Sequence, residues 1–225
     1  MKFDVEKVSK HVVYNLLNGL VAPRPIALVT SLDESGKLNA APFSSYNYLC
    51  LDPPILGFGV AAVPDGSRDL KDTIRNIAAS GEFVVNVVTE DIGRQMNICG
   101  IDFPAGVSEL DMAGFTPEPS LIVKTPRIQE AHAAMECRVY DILKPGPGPA
   151  RIVLGKVAAI FVEDRFVDPQ GPYILAQDLH AIGRMNGLSH YVRTRDAFLE
   201  IKRLNYEQWQ RGERGDSSPG PRNFL

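Results

Sequence analysis

The sequence predicts a mainly β fold, a β-barrel with a few helices added at its periphery. Three observations carry this expectation. Gly (19) and Pro (17) make up 16% of the 225 residues, above an average of roughly 12%, which argues for many turns rather than a helical bundle. Six or seven segments are short, rich in β-branched and aromatic residues, and bounded by turn residues. Few segments show a helical period, and the connections between segments are short.

The elements follow in chain order. Residues 9–19 read as a short helix, with Val12, Val13, Leu16 and Leu17 near helical spacing and Gly19 as a stop. Pro23 and Pro25 force extended backbone. Ile26–Leu32 is almost wholly apolar and reads as a strand buried on both faces. The turn residues Asp33 to Gly36 return the chain as a hairpin partner over Lys37–Phe43. Tyr46–Leu51 and Ile55–Val60 are two further strands, broken by Pro53 and Pro54. Ser67 or Asp69 is expected to cap a helix that runs to about Ala79 and ends at Gly81. Its apolar face is Leu70, Ile74, Ile77 and Ala78. Glu82–Val88 is a strand and Asp91–Cys99 a second helix. Residues 100–120 form a loop with a short helical piece, followed by two long strands, Ala131–Leu143 and Arg151–Phe166. The link Lys144 to Pro149 is exposed chain. Residues 196–204 form a last helix, and the tail RGERGDSSPGPRNFL is expected to be disordered or draped over a partner. The expectation is therefore one domain over 1–205 and a polar tail over 206–225.

Composition excludes several function classes. A net charge of −3 does not support a nucleic-acid surface, although a local basic pocket for a small anion remains compatible with it. No run approaches the roughly 20 apolar residues of a membrane span. The start, MKFDVEKVSK, lacks an apolar signal core. Cys50, Cys99 and Cys137 are far apart and odd in number, so they are read as small core residues in a reducing cytoplasm.

Three segments carry candidate chemistry. Residues 39–47, Asn-Ala-Ala-Pro-Phe-Ser-Ser-Tyr-Asn, crowd small and amide-bearing side chains that let a flat ligand approach the backbone. The plain alternative is a strand-end turn in which Asn39 and Ser44 bond their own backbone. Lys71-Asp72-Thr73 lies in the first turn of the capped helix, where free N–H groups, the dipole, the Lys71 charge and the Thr73 hydroxyl favour a phosphate. Arg68 and Arg75 lie close by, and the alternative is a solvated helix start. Residues 180–191 bring His180, Gly183, Arg184, His190 and Tyr191 into a polar, turn-rich stretch whose histidine spacing gives little support to a metal. No nucleophile elbow, zinc helix, Walker A or GxGxxG pattern occurs, so no catalytic residue is assigned. Hard chemistry would then belong to a cofactor.

Several short motifs, in order and closely spaced over residues 21–88, resemble the flavin reductase-like family: VAPRPIALVTS, then NAAPFS, DPP, KDTxxN and GEFVVN. Gly183-Arg184 and Tyr191 resemble its closing motif, although Met185-Asn186-Gly187 stands where a small-residue and glycine pair is expected. The resemblance covers about residues 1–205. It implies an FMN-binding split β-barrel of Greek-key type, a homodimer with a flavin site near the subunit interface, and non-covalent FMN reduced by NADH or NADPH. The electron acceptor stays unspecified. Residues 39–47 become a flavin platform: Asn39, Ala40 and Ala41 offer backbone groups, Ser44 and Ser45 contact the ring edge or the phosphate chain, and Asn47 closes the segment. Lys71 and Thr73 bind the phosphate. Gly57 and Gly59 let the ring lie against a strand, with Phe58 as a wall. Arg24, Thr30, Arg184 and Tyr191 are further carry-overs, Arg184 reaching the flavin or the nicotinamide phosphate from its own subunit or the other. The family also includes flavoredoxin-like carriers and ferric reductases, so an electron carrier without its own nicotinamide site is the first alternative. A non-catalytic barrel whose groove serves protein interaction is the second.

Overall fold

The computed structural model describes residues 1–61, 70–103, 107–187, 189–196 and 203–212. Ser9 caps α1 (Lys10–Leu20) by accepting from the Val12 amide. After the Pro23–Pro25 break come β1 (Ala27–Leu32), β2 (Leu38–Phe43), β3 (Tyr46–Leu51) and β4 (Pro54–Val60). Then follow α2 (Asp72–Ser80), β5 (Glu82–Val87), α3 (Gly93–Ile98) and α4 (Glu109–Ala113). Two short strands, β6 (Pro117–Glu118) and β7 (Arg127–Ile128), precede the long hairpin β8 (Ala133–Leu143) and β9 (Arg151–Val162). The chain ends in β10 (Ile182–Arg184), β11 (Tyr191–Arg193) and α5 (Tyr206–Gln210). No helix among the described residues is long and apolar enough to cross a membrane.

Seven strands form one antiparallel sheet in the order β2-β1-β5-β8-β9-β4-β3. Its two outermost strands, β2 and β3, are consecutive in sequence and joined only by Ser44 and Ser45. The sheet must therefore curl until its ends meet. The β3–β4 pairing runs on into this bend, where the Gly59 amide donates to the Ser45 carbonyl at 3.0 Å and the Ser45 hydroxyl donates to the Gly59 carbonyl at 2.8 Å.

Period-two alternation on β1 then builds two cores. Ala27 and Val29 face the barrel interior with Phe43, Phe58, Phe83 and Val153, and α2 adds Ile74 and Ile77. Ile26 and Leu28 face outward and are covered by α3 and α4 through Met96, Leu110 and Ala113. β1 is buried on both sides, as its unbroken apolar run predicts.

Gly155 shows how tight the interior is. A Cβ built there would overlap the edge of the Phe83 ring and approach the Cys137 Cβ at 3.2 Å. Gly155→Val is expected to destabilise the fold by about 3 kcal/mol, the cost of overpacking a close-packed core. Urea unfolding measures it, and a midpoint unchanged from wild type would show that the ring moves aside freely.

The start of α3 is fixed by an ionic clamp. His132 meets Asp91 at 2.8 Å through Nε2 and Glu163 at 2.7 Å through Nδ1. Arg165 pairs with Glu163 at 2.7 Å, and Thr89 donates to Asp91. Burial pushes the Asp91 carboxyl up, but the hydrogen bonds from Thr89 and His132 and the charge of His132 outweigh it and hold the group below its ordinary value. Glu163 is held low in the same way, burial being outweighed by His132 and Arg165. A carboxylate held low in the fold stabilises it above its unfolded pKa of about 4, and loses that contribution as pH falls through the folded value. The melting temperature is therefore expected to fall below about pH 4. His132→Ala should lower it near neutral pH and flatten that acid limb in a circular-dichroism series. A parallel acid limb in the variant would remove the clamp from the account.

Several sequence expectations are corrected. The α2 cap is Lys71, with no side-chain cap bond, and the helix starts at Asp72; Ser67 and Asp69 lie outside the described residues. The buried residues of α2 are Thr73, Ile74, Asn76 and Ile77, whereas Ala78 is exposed. Cys99 and Cys137 are core residues, but Cys50 is exposed on β3. Of the last helix expected over 196–204, residues 197–202 lie outside the described set, as do 213–225 of the tail. The described helix, α5, falls inside the stretch read as tail. It is nucleated by a capping box between Asn205 and Gln208 that the sequence reading missed.

Candidate functional site

The N-terminus of α2 meets the free edge of β2. Lys71 occupies the N-cap position, and no side chain caps the helix, so its first-turn amides offer the donors an anion needs. Across the gap stands β2, whose alternation turns Asn39 and Ala41 toward α2 while Ala40 faces the outer core. Asn39 Nδ2 reaches Thr73 Oγ1 at 3.5 Å, joining the two walls. The third wall is the chain leaving α3, Cys99 to Phe103, which the clamp and the α3–α4 contact hold in place.

These walls enclose a cradle of about 100 Å³. That is room for a phosphate and the first atoms attached to it, not for a tricyclic ring. Lys71 Nζ supplies the positive charge, 3.9 Å from Asp102 Oδ1. Thr73 is 2% exposed, so its hydroxyl is presented from a rigid position. Pro42 and Ile101 line the apolar side. The Cys99 thiol belongs to the same wall, but burial, aided by the Glu109 charge, pushes it up to about 12. It is therefore a neutral lining group and not a nucleophile.

A family model for the flavin reductase like domain matches residues 20–179. The chain belongs to that family. Among solved structures, 2-nitrobenzoate 2-nitroreductase from Pseudomonas fluorescens is 35% identical, with a TM-score of 0.79 over 91% of this chain and 95% of its own. Nitrilotriacetate monooxygenase component B from Bacillus cereus is 30% identical, with a TM-score of 0.80 over 88% of this chain and 97% of its own. A more distant sequence relative, an NADH:riboflavin 5'-phosphate oxidoreductase from Streptomyces pristinaespiralis, is 27% identical over 69% of this chain and 80% of its own. The fold is accordingly a flavin reductase-like split barrel.

Within this flavin reductase-like barrel the expected site residues separate into two groups. Asn39, Ala41, Lys71 and Thr73 line the cradle. Ser44, half-exposed at the bend where the sheet ends meet, makes no hydrogen bond among the described residues. The others lie elsewhere on this chain. Phe58, expected as a wall, is 1% exposed and stacks inside the barrel against Phe43, with ring centroids 4.9 Å apart. Ala40 is fully buried in the outer core. Gly57 lies under Leu49 and Leu154, and Gly59 is bonded to Ser45, so both glycines and Ser45 belong to the β3–β4 pairing. Asn47 accepts from the Tyr48 amide on exposed β3.

Thr30 and Arg24 are structural for equally concrete reasons. The Thr30 hydroxyl donates to the Pro126 carbonyl at 2.8 Å, and Asn86 beside it receives the Ile128 amide at 2.8 Å. Arg24 donates to the carbonyls of Asn18, Val21 and Met185, tying α1 to the chain after β10. Arg184 lies over the Tyr191 ring at 4.7 Å, and Tyr191 Oη reaches Asn97 on α3 at 3.4 Å. This pair braces α3 from outside and does not line the cradle.

The sequence reading missed the 99–103 wall altogether. Gly100 was its faintest signal, since a Cβ there would meet the Asn97 carbonyl at 3.3 Å.

Proposed function

We propose that the chain is an FMN-dependent oxidoreductase that takes hydride from NADH or NADPH and passes electrons to an acceptor. The observation that carries the reading is the uncapped N-terminus of α2 facing the small-residue strand β2, with Lys71 and Thr73 at the junction. FMN has the phosphate such a junction holds. When bound, it supplies two-electron chemistry with a nicotinamide, which this protein's side chains do not. Lys71, the α2 amides and Thr73 would hold the phosphate. Asn39 and the Ser44 hydroxyl would bond polar groups of the flavin, and Ala41 leaves the backbone of β2 open to it. The names of the relatives support the class: a nitroreductase, a monooxygenase component and an NADH:riboflavin phosphate oxidoreductase.

The cradle accounts for the phosphate end only, so the ring must lie on surface outside it. We place that surface at the interface of a homodimer. Tyr48, Leu49 and Leu51 on edge strand β3 are 67%, 58% and 80% exposed, an apolar stretch left open by the described residues.

The test is anaerobic addition of NADH or NADPH to FMN-loaded protein, followed at 450 nm. Bleaching with stoichiometric nicotinamide oxidation is expected. Bound FMN that neither donor bleaches would replace this reading with the electron carrier. Failure to bind FMN at all would leave the interaction module.

A further inference from the structure

The charges around the cradle oppose its geometry. Its shape and donors suit a phosphate: an uncapped helix of nine residues, the Thr73 hydroxyl and a small enclosed volume. Its electrostatics do not. Among the described residues that line it, Lys71 is the one cation, against the three carboxylates of Asp72, Asp102 and Glu109. A phosphate placed there meets more negative charge than positive.

The three carboxylates are not equivalent. Asp72 opens α2 and is engaged by Arg75, one turn along the same helix. Glu109 stands in the first turn of α4, where the helix end favours its charge. Asp102 belongs to neither helix. It is 67% exposed on the wall that leaves α3, and its Oδ1 lies 3.9 Å from Lys71 Nζ. That separation is at the outer limit of an ion pair, so Lys71 is shared rather than neutralised.

The chain that carries Asp102 is fixed. The Gly100 amide donates to the Asn97 carbonyl at 3.2 Å, Ile101 to Ile98 at 3.0 Å and Phe103 to Ile101 at 3.0 Å. Cys99, two turns of chain earlier, is buried against the α3–α4 core. A rigid wall therefore delivers a carboxylate to the mouth of the cradle, beside the one cation that a phosphate needs.

We propose that Asp102 is a built-in competitor for Lys71 that keeps the affinity for FMN low, so that the flavin exchanges with flavin in solution instead of staying resident. Before the phosphate arrives, the carboxylate shares Lys71. Afterwards it gives up that pair and faces a like charge. Both costs fall on FMN and neither falls on riboflavin, which has no phosphate. The inference rests on the proposed FMN site and concerns how firmly that site holds its ligand. An exposed pair of this length contributes little by itself. The larger part of the effect is repulsion between Asp102 and the phosphate.

The probes are FMN and riboflavin, titrated by flavin fluorescence against wild type, Asp102→Asn and Asp102→Glu. Asp102→Asn keeps the side-chain shape and removes the charge. Its FMN affinity should rise roughly three- to tenfold, while riboflavin affinity and the apo melting temperature stay at wild-type values. Asp102→Glu restores the charge and should bind FMN no tighter than wild type. Added NaCl should weaken FMN binding more in Asp102→Asn than in wild type, because the repulsion that salt relieves in wild type is gone. On gel filtration wild type should lose its FMN, and Asp102→Asn should retain a larger share. FMN affinity of Asp102→Asn within about twofold of wild type would overturn the proposal and leave the FMN site standing. So would an equal gain for riboflavin, or stoichiometric FMN carried through gel filtration by wild type. Failure of FMN to bind either protein would remove the site itself, and the role of Asp102 with it.

Discussion

Lys71→Ala should weaken FMN binding by roughly tenfold to a hundredfold, the range that a charge-assisted contact of about 1.5–3 kcal/mol implies. The residue is the N-cap of α2, and its side chain is about one-third exposed, so its removal costs the fold little. Thr73→Val keeps the buried shape and deletes only the hydroxyl, so a smaller loss is expected, about three- to tenfold. Fluorescence quenching of FMN on titration measures both. The melting temperature of the apo forms separates a binding defect from a folding one. Unchanged affinity in Lys71→Ala would place the phosphate elsewhere.

The largest stability effect is expected at Glu136. This carboxylate is 2% exposed on β8, and its oxygens accept from the amides of Leu121, Ile122 and Val123 at 2.7, 2.6 and 3.1 Å. Glu82 on β5 does the same for Lys124 and Thr125, at 2.7 and 2.9 Å. Two sheet carboxylates thus hold the segment 120–125 that has no ladder of its own. Glu136→Ala leaves three amides without their acceptor, one of them buried. The expected cost is about 3–5 kcal/mol, or a melting temperature lower by roughly 10 °C. Glu136→Gln retains one acceptor oxygen and should cost about half as much. A loss under about 1 kcal/mol in Glu136→Ala would mean that water replaces the carboxylate without penalty.

Much of the barrel is legible in the residues because its causes are local. The apolar run of β1 announces a strand buried on both faces. Gly81, at φ 72°, ends α2 as its position suggests. The lysine and the hydroxyl in the first turn of α2 are legible for the same reason, and the structure puts both beside β2.

What failed was decided by tertiary closure. Gly57 and Gly59 suggest an open strand face, and they flank Phe58. Side chains alternate along a strand, so Phe58 had to lie opposite the glycines. Which face was interior depended on the whole sheet curling round to bring β2 and β3 together. Arg24 is a candidate only through the family resemblance; its acceptors include the Met185 carbonyl, 161 residues away, which no local pattern shows. The 99–103 wall has no period or cap of its own and is placed by α3, α4 and the His132 clamp.

In the proposed function the junction of α2 and β2 holds the phosphate of FMN. The most direct test compares FMN with riboflavin, which lacks only that phosphate, on wild type and on Lys71→Ala. Wild type is expected to bind FMN at least tenfold tighter than riboflavin, and Lys71→Ala to remove most of the difference. Equal affinity of wild type for the two flavins would contradict it.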